Sequence, residues 1–293
     1  MLRGHKRAGE SARRLARRIG SVTLAGVLAA ALVAPPPAQA WEARTHRLVV
    51  SRAVDSLPYP LRAFYESNRS TLMQLAADPN QWGEEQDIPE RRFIHLDAYG
   101  RYPFAELPRD YNAAVRKFGR QRVILRGTLP WAVGTYSLKL EEAFRAQRWD
   151  DVKLYSAILA FYVNESHDPF NTTSDPDGGE AGQTGINQRY SHSLVERYQA
   201  FFIIRPGGAY KIDDPTNQAF GMVVEANTWV DNIFFADRQA RRGKPDYNDD
   251  YYDAFYDAIG AILVRQLTTA SQNVGAYWYT AWVNAGSPPL PAR

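Results

Sequence analysis

Cysteine is absent from the 293-residue sequence. Disulfide bonds and thiol chemistry are therefore excluded, and the fold must be stabilised by its core. Alternating strand-like runs are nearly absent as well, whereas apolar residues recur at spacings of three and four, which predicts a mostly α-helical protein. Aromatic residues make up 13% of the sequence, so we expect aromatic side chains to pack between the helices.

Long apolar runs are also missing, apart from Val22 to Val33 near the N-terminus. Basic residues precede this run, and Ala38-Gln39-Ala40 supplies the small residues that a signal peptidase reads, so residues 1–40 are predicted to be a signal peptide. The alternative is an uncleaved anchor helix, which the prolines at 35–37 would interrupt. We expect a secreted or periplasmic protein that begins at Trp41 and has no transmembrane segment.

The basic charge of the chain belongs to the predicted signal peptide. Residues 1–40 carry seven basic residues and one acidic residue, which leaves 28 basic and 31 acidic residues and a net charge near −3 from Trp41 onwards. A slightly acidic balance gives no support for extensive binding to a nucleic acid backbone, which requires a basic patch.

The predicted fold class is all-α, with a single mainly helical domain at residues 41–285 and a flexible, proline-rich tail at 286–293. Two long connections, residues 78–108 and 171–185, interrupt the helices, and long loops in compact domains are often functional. The candidate helices are His46 to Asp55, Leu61 to Asn68, Tyr111 to Phe118, Pro130 to Gln147, Asp150 to Ser166, Asn187 to Phe202, Thr216 to Arg241 and Asp249 to Val283.

Three features form a specific pattern: Trp41 at the predicted mature N-terminus, His46 five residues later, and the segment Ile-His-Leu-Asp that contains His95. With them the chain resembles the zinc-dependent phospholipase C and P1-type nuclease family over Trp41 to about Tyr198. Family members begin with Trp and use its α-amine and carbonyl oxygen as metal ligands. Residues 161–171, Phe-Tyr-Val-Asn-Glu-Ser-His-Asp-Pro-Phe-Asn, lie where the family has the helix pattern H-Y-x-G-D-x-H-Q-P-x-H.

The resemblance implies an all-α domain of the phospholipase C/P1 nuclease type, in which three clustered zinc ions activate a water to attack a phosphodiester. Such a site needs many His and carboxylate ligands. Here the flanking residues match better than the ligands, because four ligand positions hold residues that are poor zinc ligands. They are Phe161, Asn171, Asn187 and Ser191.

The ligands that the resemblance leaves are Trp41, His46, His95 and Glu165. They imply zinc as the cofactor, with one ion rather than three. The acid expected near residues 77–80 aligns with Asn80, although a loop shift would restore Asp78, which would then be the catalytic base. An alternative ligand set comes from His192 and Glu196 together with His167; the simpler interpretation of His192 and Glu196 is a solvent-facing i, i+4 pair.

Two functional hypotheses follow from this ligand pattern. In the first, the protein keeps the family scaffold but hydrolysis is impaired or lost, and the cleft binds a phosphodiester or another polar ligand through amides and a hydroxyl. In the second, it is an active metal-dependent phosphoesterase that uses a reduced metal set on phospholipid or nucleic acid. A third hypothesis, a helical interaction module, remains if the resemblance is misleading. No protein partner is indicated.

Overall fold

The structure is a computed structural model that describes residues 41–291 of the chain. The expected signal peptide, residues 1–40, lies outside the described residues, as do the last two residues of the expected tail. The described part is helical and contains no β-strand, which confirms the predicted all-α fold class. In residues 41–291, no helix combines the length and the apolar character that crossing a membrane requires.

Eleven α-helices occur between residues 41 and 291, with short 3₁₀ turns and one π-helical segment between them. In chain order they are α1 (Ala43–Ser56), α2 (Leu61–Ser67), α3 (Arg69–Ala77), α4 (Tyr111–Phe118), α5 (Arg120–Leu125), α6 (Leu129–Arg145), α7 (Trp149–Glu165), α8 (Leu194–Tyr198), α9 (Pro215–Asn227), α10 (Val230–Arg241) and α11 (Asp249–Asn284).

Several helices begin at a side chain that caps their free backbone N–H groups. Asp110 accepts from the N–H of Ala113 at 2.7 Å to start α4, and Asn248 accepts from the N–H of Tyr251 at 3.1 Å to start α11. Helix α6 has Pro130 in its first turn, where a proline costs no hydrogen bond. Capping side chains and first-turn prolines of this kind are local signals for the start of a helix.

The prediction of a single helix from Thr216 to Arg241 is wrong, because this segment forms two helices, α9 and α10. At the junction the Thr228 hydroxyl donates to the carbonyl of Glu225 at 2.6 Å, and the Trp229 indole donates to the Glu225 carboxylate at 2.9 Å. These side-chain bonds compete with the helical hydrogen-bond ladder. The apolar spacing continues across the junction, so periodicity alone missed the break.

The 36-residue helix α11 packs against α1, α6, α7 and α10. It is about 54 Å long at 1.5 Å per residue. Aromatic rings make many of its contacts, as in the stack of Trp278 on Tyr65 at 4.3 Å between ring centroids. At its C-terminal end the Trp282 indole donates to the carbonyl of Pro288 at 3.1 Å, so the chain after α11 folds back on the helix.

Helices α1 and α7 contact each other and together position the candidate site. Helix α1 carries His46, and the last turn of α7 carries Phe161 and Glu165. A 3₁₀ turn at Pro169–Thr172 brings Asn171 back towards the end of α7. The π-helical segment Gln188–Ser193 carries Ser191, and π turns of this kind are frequent at functional sites.

Candidate metal site

His46 and Glu165 meet in the interior, where each is at most 3% exposed. His46 Nε2 lies 3.1 Å from Glu165 Oε1, but this nitrogen makes no hydrogen bond within the described residues. On the other side of the ring, the Asn164 side-chain amide lies within hydrogen-bond distance of Nδ1, at 3.0 Å. A buried imidazole nitrogen without a hydrogen bond, next to a carboxylate, is an arrangement that suits one cation.

Phe161 occupies the helical position one turn before Glu165, and its ring covers His46. The two rings stack with centroids 4.4 Å apart and an angle of 17° between their planes. Trp82 packs edge-on against the same phenylalanine at 5.2 Å. An apolar ring therefore lies in contact with His46 at a position where the resembled family has a histidine ligand.

Arg92 brings a positive charge to this site, although the sequence pattern gave no reason to select it. Its guanidinium lies 5.2 Å from the centre of the Phe161 ring and forms an ion pair with Asp87. Burial of Arg92 opposes its charge, but the hydrogen bond with Asp87 and the charges of Asp87 and Glu165 outweigh this effect and raise its pKa. Arg92 thus provides an internal cation near Glu165.

Asn171 and Ser191, two of the replaced ligands, make hydrogen bonds inside the site. The Asn171 amide donates to Glu165 Oε2 at 2.8 Å, and the Ser191 hydroxyl donates to Asp168 Oδ2 at 2.8 Å. Asn187 is buried too, and its carbonyl oxygen lacks a hydrogen-bond partner in residues 41–291. The amide and hydroxyl groups therefore satisfy the two carboxylates in part and leave a few buried oxygens free.

Asp168 is a second carboxylate that the sequence pattern did not single out. It is fully buried, and its Oδ1 accepts from the backbone N–H of Phe170 at 2.8 Å. Burial raises its pKa to about 8, while the bonds from Ser191 and Phe170 act in the opposite direction and the charge of Glu165 adds to the rise. Burial therefore favours the neutral carboxylic acid form of Asp168 over the carboxylate.

His95, the remaining expected histidine ligand, lies within the long connection 78–108, at the start of a 3₁₀ turn. Its ring stacks on Phe93 at 4.6 Å, its Nδ1 is buried without a hydrogen bond within the described residues, and burial lowers its pKa. Asp97 does not hold it, because the Asp97 carboxylate accepts from Thr173 at 2.9 Å and from the backbone of Ser174.

Trp41 and Asp78 are the other two residues expected at the site. Trp41 is buried at 3% exposure, just before α1. Asp78 lies at the end of α3, where its carboxylate accepts from the amides of Gln81 at 2.8 Å and Asn80 at 3.0 Å. These hydrogen bonds lower its pKa, so it is a weak base.

The alternative ligands are divided between two places. His167 is buried between Gln266 and Asn273 of α11, at 3.2 and 3.0 Å, and burial lowers its pKa to about 4. His192 is partly exposed and lies between two carboxylates, with Nδ1 2.7 Å from Glu42 and Nε2 3.3 Å from Glu196. His167 therefore has its own amide partners, and His192 and Glu196 are an i, i+4 pair.

The fit of the donor set to zinc can be tested on these contacts. His46 Nε2 and Glu165 Oε1 are two adjacent donor atoms, which is half of the four ligands that a tetrahedral zinc ion takes. Across residues 41–291, no group of three or more His, Cys, Asp or Glu side chains is placed to hold a metal ion. The described side chains therefore fit one ion completed by a further donor, and they do not fit a cluster of three.

No protein-family model and no curated protein sequence matches this chain. Among solved structures, the fold is similar to that of an alpha toxin from Clostridium absonum, with a TM-score of 0.52. The two sequences are 11% identical, and the match covers 82% of this chain. The chain spans 63% of the length of the toxin structure. At this level of identity the likeness shows a shared all-α fold.

Proposed function

We propose that the mature chain is a scaffold of the zinc-dependent phospholipase C type that has lost phosphodiester hydrolysis and holds at most one zinc ion. The observation that carries the proposal is the stack of Phe161 on His46, next to the lone His46 and Glu165 pair. Hydrolysis in the resembled family needs several cations around the phosphate. A single pair of donors covered by an aromatic ring cannot hold that number.

The zinc ion of this proposal is held by the α-amine of a processed Trp41 together with His46 and Glu165. A zinc ion in such a place acts as a Lewis acid and strengthens the local packing. With its side-chain oxygen turned to accept from Nδ1–H, Asn164 would fix the orientation of the His46 ring and leave Nε2 unprotonated for zinc. Asn171 would hold the Glu165 carboxylate through Oε2. Both amides are thus positioning residues for the ligands.

The shared fold and the N-terminal sequence support the remaining parts of the proposal. Similarity to an alpha toxin fold agrees with the phospholipase C part of the sequence resemblance, whereas it gives no support for a nuclease. The predicted signal peptide supports a secreted or periplasmic protein. The side-chain oxygen of Asn187, which is buried without a hydrogen-bond partner in residues 41–291, favours a polar ligand or an ordered water at the site over an apolar one.

The test is a revertant that restores the family ligands through Phe161→His, Glu165→Asp, Asn171→His, Asn187→His and Ser191→Glu. We expect no turnover by the parent protein on phosphatidylcholine, bis-nitrophenyl phosphate or single-stranded DNA, and zinc-dependent turnover of at least one substrate by the revertant. The matched control adds His46→Ala to the revertant, which removes the gained activity. If the parent is as active as the revertant, hydrolysis has not been lost.

A second candidate function is an active phosphoesterase with a reduced metal set. One observation favours it, namely that His46 Nε2 makes no hydrogen bond within residues 41–291 and lies close to Glu165. This function needs a metal donor beyond these two, because no third His, Asp or Glu side chain of the described residues completes the group. It predicts phosphodiesterase activity of the parent protein that a chelator removes and that His46→Ala removes as well.

A further inference from the structure

A cavity lies where α4, α6 and α9 begin, away from the residues of the candidate metal site. Its volume is about 640 Å³, within the range typical of small-molecule sites. Arg91 and Arg109 line it together with the aromatic side chains of Tyr111, Trp131 and Tyr136. None of the ligands expected from the sequence contributes to this lining.

Arg109 is the first unusual group in this cavity. One of its guanidinium nitrogens, Nη1, is buried and has no hydrogen-bond partner anywhere in the described chain. The guanidinium stacks on the Phe220 ring at 4.4 Å, and burial lowers its pKa because no carboxylate lies within ion-pair distance in residues 41–291. Arg109 is half-buried and lines the cavity, so an anion bound there would offset part of the cost of its unpaired charge.

Arg91 is a second cation without a carboxylate partner in the described part of the protein. Its Nη1 donates to the Tyr136 hydroxyl at 3.3 Å, which in turn donates to Glu85 at 3.0 Å. The Glu85 carboxylate is already paired with Lys139 at 2.6 Å. The charge of Glu85 is therefore balanced by Lys139, and Arg91 keeps its own charge available at the cavity.

Two acidic residues also line the cavity, and the carboxylate of each accepts a hydrogen bond from a backbone N–H in the first turn of a helix. Asp110 accepts from the N–H of Ala113 at 2.7 Å, and Asp214 accepts from the N–H of Asn217 at 2.9 Å. Their negative charge offsets the positive ends of α4 and α9. The lining is therefore formally neutral, with its two carboxylates engaged at helix starts and its two arginines left without a carboxylate partner in residues 41–291.

We propose that this cavity binds an oxyanion carried on an apolar ring, such as an aromatic phosphate monoester, with Arg91 and Arg109 as anion ligands and Trp131 as the apolar wall. The planar guanidinium suits phosphate oxygens, which accept two parallel hydrogen bonds from it. Trp131 is 8% exposed, and its indole N–H is used by the carbonyl of Arg109 at 2.7 Å, so the ring is held in place.

Calorimetric titration of the mature protein with phenyl phosphate in the presence of a chelator tests this proposal. We expect saturable binding that weakens about tenfold in Arg109→Gln and in Arg91→Gln, since each substitution removes a charge-assisted hydrogen bond. The matched control is Arg120→Gln, which removes an exposed arginine that does not line the cavity and should leave the affinity unchanged. Inorganic phosphate should bind more weakly than phenyl phosphate, and phenol should not bind.

Thermal melting curves show which variants fold. If Arg109→Gln does not fold, Arg91→Gln still tests the proposal. Absence of saturable binding to the parent protein overturns the proposal. Equal affinity in a folded arginine variant overturns it too, as does a loss of affinity in Arg120→Gln equal to that in the cavity variants. The chelator separates this result from the proposed function, because a failed zinc site leaves phenyl phosphate binding unchanged.

Discussion

Glu165 lies at the centre of the candidate site, and several neighbouring groups stabilise its negative charge. Asn171 donates to one oxygen at 2.8 Å, His46 lies 3.1 Å from the other, and Arg92 adds a positive charge nearby. In the resembled family, metal ions would balance a carboxylate at this position. Here part of that role falls to protein side chains, so the site does not require three cations to be stable.

Substitution of Arg92 tests its role as an internal cation. We expect Arg92→Gln to lower the free energy of unfolding by about 2 kcal/mol, because Asp87 is left without its partner in a largely buried position. Urea denaturation at pH 7 measures the change. Arg52→Gln is the control, since Arg52 forms an exposed ion pair and should cost less than about 0.5 kcal/mol. Equal effects of the two substitutions would contradict this role.

Glu85 gives a prediction for the effect of pH. Its burial opposes ionisation, but Lys139 and the Tyr136 hydroxyl outweigh this and lower its pKa from 4.5. A carboxylate with a lowered pKa stabilises the fold above its unfolded pKa, and this contribution is lost as the pH falls through the folded value. We expect Glu85→Gln to cost about 1 kcal/mol at pH 7 and progressively less below pH 4.5.

Urea denaturation of the parent and of Glu85→Gln between pH 7 and pH 3 checks this pH dependence. The control is Glu84→Gln, because Glu84 is exposed and should change stability little at any pH. A difference between Glu85→Gln and the parent that stays constant down to pH 3 would be inconsistent with the ionised pair.

At the scale of helices, α1 and α11 approach each other closely at Gly275. A Cβ at this position would lie 2.0 Å from the Ser56 hydroxyl oxygen and 3.1 Å from the carbonyl of Ala53. We expect Gly275→Ala to lower the free energy of unfolding by about 1–3 kcal/mol through overpacking. Ser56→Ala added to it should recover part of the loss, because the nearest atom is removed.

Gly221 in α9 is the matched control for this test, since a Cβ there would meet nothing within 4 Å. Gly221→Ala should raise the free energy of unfolding by up to about 1 kcal/mol through helix propensity. Thermal or urea denaturation distinguishes the two cases. Stabilisation by Gly275→Ala would show that α1 and α11 lie further apart than described.

The helices were largely predictable because capping residues and apolar spacing are local signals. Helices α4, α6, α7 and α11 were expected within a few residues of their observed ends. The break between α9 and α10 and the π-helical segment at Gln188–Ser193 were missed. The break coincides with the hydrogen bond from the Thr228 hydroxyl to the backbone carbonyl of Glu225, which periodicity does not record.

The candidate site was less predictable than the fold. The meeting of His46 with Glu165 was implied by the family resemblance, which assigns both residues to one ion. The contacts of Arg92 and Asp168 with this site depend on tertiary packing, and neither residue has a sequence signal. His167 had a suggestive position beside Asp168, yet it packs between two amides of α11. Long-range packing therefore decides which polar residues join the site.

At the scale of the whole molecule, the chain combines an all-α fold similar to that of an alpha toxin with an interior that holds few metal donors. Fold alone does not determine activity, because activity depends on the residues of the site. The candidate metal site has a histidine and a carboxylate in the interior, whereas the cavity at the start of α4, α6 and α9 has two arginines without a carboxylate partner in residues 41–291.

Metal analysis of the untagged, processed protein tests the central claim most directly. Purified protein that begins at Trp41, dialysed against zinc and then freed of excess, should contain at most one zinc per chain. His46→Ala should reduce that content to zero, whereas His192→Ala should leave it unchanged. Three tightly bound zinc ions per chain would contradict the account.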